Sequence, residues 1–300
     1  MNLTERSGQP LRILKYKIAD EHDGKRACDF LRRNEHFSYA LIVKLRHSPE
    51  SLKLNGEFIR TIDRLRAGAV LTVELPETKG SEEPNEDLDI PKLYEDDDII
   101  IFDKPPGVPV HPSKGHQTDT LANYCAAHCP CSKFHVIGRL DMDTSGLVLV
   151  AKNSHAAAVL TDSQIEKEYI AVAQGTPPSL SGTIDAPIDD TDPEAHRRFV
   201  AEGGRSAVTD YEIFAEGKNL FAAKVKPKTG RTHQIRVHFS YMGTPLAGDE
   251  LYGGSRELIS RHALHRSRLS FAHPVTGERL CFCSDPPEDM RKLIEAMENI

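Results

Sequence analysis

No uninterrupted apolar run in this chain exceeds five residues, Tyr39 to Val43 and Leu147 to Ala151 being typical. A membrane-spanning helix needs about 18 or more, so the chain is not expected to cross a bilayer and must bury its apolar residues against one another. Many runs alternate apolar with polar residues and stop at glycine, proline or asparagine, the pattern of short strands. Apolar and aromatic residues make up 39% of the 300 residues, an ordinary globular share that can furnish a sizeable core. The length suggests about two domains.

Along the chain, Ala27–Leu31 and Ala40–Leu45 read as short helices. Leu52–Ile59 reads as a hairpin turning at Asn55-Gly56, and Ala69–Leu75 as an alternating strand. The stretch Lys79–Pro91 carries turn formers and charge without apolar periodicity, so it reads as a linker. The expected organisation is a unit over residues 1–76, an acidic linker over 77–92 and a larger unit over 93–300. In the latter, Asp98–Asp103 is a strand ended by Lys104-Pro105-Pro106-Gly107. Leu147–Lys152 is a buried strand, Ser154–Ile165 a helix capped by Asn153, and Lys167–Val172 and Asn219–Val225 further strands. In His233–Met242, Ile235, Phe239 and Met242 form one helix face. Strands outnumber helices and sequence neighbours look hairpin-like, so the fold class is α+β with a mixed, mostly antiparallel sheet.

The net charge of −7 argues against a domain that binds nucleic acid with its whole surface. The charge is unevenly distributed, however. Between Glu82 and Asp98 nine acidic residues stand against Lys92, whereas Lys224–Arg236 holds five basic residues and no acid. A polyanion bound at one face is compatible with this, as is a solvated surface. Six cysteines are too few for a disulfide scaffold, and the first residues lack the apolar stretch of an export signal. The expected location is the cytoplasm.

Two segments could carry chemistry. Gly138-Arg139-Leu140-Asp141-Met142-Asp143-Thr144-Ser145-Gly146 places a guanidinium and a carboxylate two residues apart just before a buried strand, where an active site would be rigidly supported. On spacing alone a salt-bridged turn is the simpler explanation. In Lys228-Thr229-Gly230-Arg231-Thr232-His233-Gln234-Ile235-Arg236, Gly230 breaks a strand and Thr232 can cap a helix. Its first turns, with His233 and Arg236, suit a phosphate or carboxylate; an amphipathic helix with a solvated basic face is the alternative. Metal readings fail. His233 and His238 are five apart, Cys125, Cys129 and Cys131 match no zinc spacing, and Asp190–Ala195 lacks the glycine of a calcium loop. No Walker loop or Gly-x-Gly-x-x-Gly occurs, so no nucleotide cofactor is expected.

Read together, several segments resemble the RluA-type pseudouridine synthases, which isomerise uridine in RNA. They run from Leu93–Asp98 and Lys104–Gly107 through Gly138–Asp141, Thr144–Leu147 and Glu166–Tyr169. Thr229–His238, Gly248–Gly253 and His273–Glu278 complete the set, in the family's order over about residues 93–290. Residues 1–76 resemble a diverged α-L RNA-binding domain. One departure is Gly138, where the family often has histidine.

The resemblance implies a cofactor-free and metal-free isomerase acting on ribosomal or transfer RNA, expected to be a monomer. Asp141 corresponds to the catalytic carboxylate, which attacks the anomeric carbon or assists glycal formation before the uracil detaches, rotates and rejoins through carbon five. Arg236 corresponds to the buried arginine that orients it and keeps it ionised. Tyr169 corresponds to the tyrosine that stacks on uracil and is proposed to remove the carbon-five proton. Arg139 would fill the gap left by the flipped base. Arg231, Lys104 and Lys228 would contact phosphates, with His233 beside them. Two other readings are a non-catalytic RNA-binding or ribosome-assembly protein on the same fold, and a hydrolase using Asp141 and Asp143. The hydrolase is disfavoured because residues i and i+2 of one turn seldom flank a bond.

Overall fold

The computed structural model describes residues 12–76, 80–129, 134–189 and 197–298, in which the alternating apolar runs form separate sheets. Cys131, the Asp190–Ala195 segment and the first eleven residues lie outside the described residues. The first sheet comprises β1 (Ile13–Lys17), β2 (Leu52–Leu54), β3 (Glu57–Phe58) and β4 (Val70–Glu74), in the antiparallel order β1-β4-β2-β3. It packs with α1 (Ala27–Arg33) and α2 (Tyr39–Arg46) around Phe30, Leu31, Leu41, Leu45, Leu71 and Val73. Asn55 and Gly56 make the hairpin with φ of 51° and 89°, the left-handed backbone that a two-residue turn requires. An ion pair and a ring contact help join this unit to the rest. Arg12 donates to both oxygens of buried Asp98, at 2.8 and 2.6 Å, and Phe37 lies 4.3 Å from the His155 ring, centre to centre.

The acidic stretch Gly80–Pro91 has no helix or strand, yet it is fastened. Asn85 Nδ2 donates to Thr118 O at 2.7 Å, and Asn123 Nδ2 donates to Glu83 O at 2.8 Å.

The remaining elements are β5 (Lys92–Glu95), β6 (Ile99–Lys104), α3 (Leu121–His128), β7 (His135–Ile137), β8 (Ser145–Ala151), α4 (Ser154–Asp162) and β9 (Glu166–Gln174). They continue with β10 (Ser181–Asp185), β11 (Ile188–Asp189), β12 (Phe199–Val200), β13 (Val208–Gly217) and β14 (Leu220–Pro227). Last come α5 (Gln234–Tyr241), β15 (Leu264–Ala272), β16 (Arg279–Cys283) and α6 (Glu288–Glu298). The large sheet runs β10-β13-β14-β9-β15-β8-β6-β5, with β16 on β15 and β7 on β8. Among the described pairings only β8 with β15 is parallel, so the chain is α+β around a mixed, mostly antiparallel sheet.

Helices cover both faces of this sheet. On one, α3 and α5 pack on Phe102, Val148, Tyr169 and Phe221; on the other, α4 packs on Leu147, Leu149 and Phe271, and α6 sets Met290 and Met297 against Val172 and Ala222. Every residue of β8 is buried, which explains its unbroken apolar run. Asn153 caps α4 by accepting from Ala156 N at 2.9 Å. The helix ends at Asp162 instead of continuing to Ile165, because Ser163 turns extended and its hydroxyl donates to Leu160 O. Among the described residues no helix is long and apolar enough to cross a membrane.

Candidate active site

The loop from Gly138 to Thr144 crosses the mouth of the large sheet between β7 and β8, and Asp141 lies in a cleft of about 530 Å³ there. Its backbone is clamped from behind. Lys104, at the end of β6, is fully buried and donates to Pro105 O, Val108 O and Met142 O at 2.8, 2.9 and 2.8 Å. Burial pushes this ammonium down to about 7, against the pull of Asp143 and Asp141. Lys104 was expected to contact RNA phosphate; the structure corrects that, because all three of its N–H donors are spent on backbone carbonyls inside the protein. Arg261 adds a second clamp, donating to Asp143 O at 3.0 Å while Asp289 of α6 holds its guanidinium at 2.8 and 2.9 Å.

Arg236, in the first turn of α5, meets the carboxylate. Its Nη1 donates to Asp141 Oδ2 at 3.1 Å, while Nε and Nη2 donate to Asp249 at 2.7 and 2.8 Å. The Asp141 side chain is 29% exposed, against 8% for Arg236 and 1% for Asp249. The free oxygen edge therefore faces the cleft while the cation stays inside. Burial raises the Asp141 carboxyl, but His233, Arg236 and His262 together outweigh it and leave the group below its ordinary range. At neutral pH the guanidinium is the cation among these. Burial lowers His233, and it drives His262 down to about 3, so both rings are neutral there.

The start of α5 differs from the expected cap. Thr232 does not cap it; His233 occupies that position in a left-handed conformation with φ of 57° and no side-chain cap. Gln234 reaches back instead, its Oε1 accepting from Arg231 N and from Thr229 Oγ1 at 2.9 and 2.8 Å. This turns His233 inward, where Nδ1 lies 2.9 Å from Tyr252 Oη and Nε2 lies 3.8 Å from Asp141. The Tyr252 ring in turn has the Arg236 guanidinium 5.0 Å from its centre.

Tyr169, on β9, lines the same cleft and is 7% exposed. Its phenol oxygen accepts from Arg266 Nε and Nη2 at 2.8 and 2.6 Å. Arg139 and Arg231 also line the cleft, with Arg231 Nε donating to Ser206 O at 2.9 Å. Lys228 lies outside the lining, exposed, and pairs with Asp210 at 2.9 Å. Gly138 has φ of +74°, and a Cβ there would stand 3.2 Å from Lys167 Nζ. The departure from histidine thus accommodates a left-handed backbone and a lysine lying over it. Asp143 is not among the cleft residues, so a paired-carboxylate hydrolysis lacks its second group.

Five residues of the site escaped sequence reasoning: Asp249, Tyr252, His262, Lys167 and Arg266. Asp249 and Tyr252 fall in the Gly248–Gly253 segment and Lys167 in the Glu166–Tyr169 segment that supported the family resemblance, which was the available signal. Arg266 had none, because a register shift between His265 and Arg268 breaks the alternation of β15.

Comparison with known proteins identifies the family. The family model described as RNA pseudouridylate synthase matches residues 98–241. An uncharacterized RNA pseudouridine synthase of Bacillus subtilis, YjbO, is 38% identical over 86% of this chain and 94% of its own. The ribosomal large subunit pseudouridine synthase D of Xanthomonas campestris pv. campestris is 35% identical over 81% of this chain and 80% of its own. Among solved structures, human RNA Pseudouridylate Synthase Domain Containing 1 superposes with a TM-score of 0.56 at 25% identity, covering 73% of this chain and 98% of that one. The chain belongs to the RNA pseudouridine synthase family, isomerases that convert uridine to pseudouridine in RNA.

Proposed function

We propose that this enzyme isomerises one uridine of ribosomal RNA, with Asp141 as its nucleophile. The choice of RNA rests on its similarity to ribosomal large subunit pseudouridine synthases. The observation that carries the mechanism is the carboxylate of Asp141, open to a cleft on one side and held by Arg236 on the other.

In this reading the flipped uridine enters the cleft between Asp141 and Tyr169. Asp141 attacks the ribose or assists glycal formation, and the uracil leaves, rotates and bonds through carbon five. The carboxylate is ionised well below neutral pH, so no proton need be removed before attack. Arg236 cannot drift toward the leaving uracil, because Asp249 fixes its fork from behind. Tyr169 offers a ring on which uracil stacks and an oxygen that takes the carbon-five proton. Arg139 enters the stack that the target base vacates, and Arg231, with Lys228 further out, contacts phosphates. The enzyme works as a monomer in the cytoplasm, where thiols stay reduced, and Cys28, Cys129, Cys281 and Cys283 are not joined in disulfides.

Asp141→Asn keeps the shape and removes the charge, so it should abolish pseudouridine formation while leaving RNA affinity nearly intact. Continued turnover would remove Asp141 from the mechanism. Carbodiimide modification and primer extension on ribosomal RNA from cells with and without the gene would locate the uridine; no difference in ribosomal RNA would overturn the choice of substrate.

A further inference from the structure

Arg266, on β15, is 1% exposed, and all five of its N–H donors are used. Nε and Nη2 donate to the Tyr169 phenol oxygen at 2.8 and 2.6 Å. Nη2 also donates to Arg139 O at 3.1 Å, and Nη1 to Gly138 O and Leu147 O at 3.0 and 3.1 Å. Among the described residues no carboxylate lies within ion-pair distance of it. Its charged neighbours add to the imbalance, since Lys104 and Lys167 both feel its repulsion.

A guanidinium buried without a counter-ion is costly, because hydrogen bonds to neutral carbonyls satisfy its donors but not its charge. Of the four groups that accept from Arg266, three are peptide carbonyls that cannot ionise. The phenol of Tyr169 is the one that can. With two donors already on its oxygen, that phenol has to direct its own hydrogen away from Arg266.

We propose that Arg266 is a positioning residue for the second half of the reaction, holding Tyr169 as the phenolate that removes the proton from carbon five. The inference rests on Tyr169 as the base in the reading above. Once carbon five has bonded to the ribose, it carries both that bond and its hydrogen. The phenolate oxygen takes the hydrogen as a proton. The C5–H bonding pair closes the C5–C6 double bond, and the C6–N1 pair moves to N1, which picks up a proton from water. The phenol then returns its proton to solvent, so no net oxidation, reduction or proton change occurs. Through the carbonyls of Gly138 and Arg139, the same side chain ties the base to the loop that bears Asp141, which keeps the two reacting sides in register.

The test uses the full chain, an RNA substrate and the same RNA deuterated at carbon five of uridine. Arg266→Met should lower turnover about 100-fold with little change in RNA affinity, and it should expose a deuterium isotope effect that the unaltered enzyme does not show. Arg266→Lys, which keeps the charge with fewer donors, should recover part of the rate. In a Tyr169→Phe background, Arg266→Met should add almost no further loss. A slow Arg266→Met enzyme without an isotope effect, or one whose loss multiplies with that of Tyr169→Phe, would show that Arg266 serves only the loop. If Arg266→Met fails to fold, Arg266→Lys carries the test by the same isotope readout. Full activity of Tyr169→Phe alone would instead refute Tyr169 as base.

Discussion

Asp249 grips Arg236 through two parallel bonds of 2.7 and 2.8 Å and is almost completely buried. The fork spends Nε and one face of Nη2 on this anchor and leaves Nη1 to Asp141. The guanidinium plane is therefore fixed before substrate arrives, and the exposed carboxylate is oriented by a charge that has its own counter-ion.

Asp249→Asn should accordingly damage both stability and rate. Breaking a buried ion pair on one side costs about 3–5 kcal/mol, which urea unfolding would measure. In folded protein, single-turnover assays should show the loss in kcat more than in KM. An unchanged kcat would separate Asp249 from catalysis.

Lys104→Met should act on the fold and not on RNA contact. It orphans the carbonyls of Pro105, Val108 and Met142, at on the order of 3 kcal/mol. The dependence of RNA affinity on salt should stay as it was. A flatter salt dependence would return Lys104 to the phosphate contacts.

Gly146 of β8 lies opposite Arg266 of β15. A Cβ there would lie 2.3 Å from Arg266 O, on a backbone with φ of +105°. Gly146→Ala should therefore cost roughly 3 kcal/mol and weaken catalysis by moving Arg266. A melting temperature equal to that of the unaltered protein would contradict the contact.

Burial lowers His155 to about 4 and His262 to about 3 from an ordinary 6.5. The unfolded chain thus binds protons that the folded chain refuses, so these histidines make stability rise with pH between about 4 and 6.5 and fall on acidification through that window. Each contributes about 1.4 kcal/mol per pH unit where only the unfolded form is protonated. Asp141 loses stability only below its ordinary 3.8, because its pKa is lowered. Urea unfolding at pH 5 and pH 7 isolates the histidines. His262→Gln should shrink the difference, and an unchanged difference would show that His262 is protonated in the folded state.

Lys167 lines the cleft beside Gly138, and burial lowers it to about 8. It is still mostly charged at neutral pH, and a phosphate entering the cleft would meet it. Lys167→Met should reduce the slope of log affinity against log salt by about 0.7, the single-strand value for one phosphate contact. An identical slope would place the phosphates elsewhere.

The sequence by itself determined the local elements whose causes are local. Asn55-Gly56 made its turn, Asn153 capped its helix, and the wholly apolar run of β8 was a buried strand. The order of motifs around Asp141, Tyr169 and Arg236 also fixed the family. Tertiary structure alone decided what each charge does. Lys104 and Arg231 look alike in sequence, yet one ends among carbonyls beneath the loop and the other on the cleft wall. Arg266 reaches Tyr169 because β9 and β15 pair antiparallel, with a register shift beside Arg266, across 97 residues of chain. A charged side chain's role depends on its distance from other charges and on how much water remains around it, and both are set by long-range packing that no local pattern encodes.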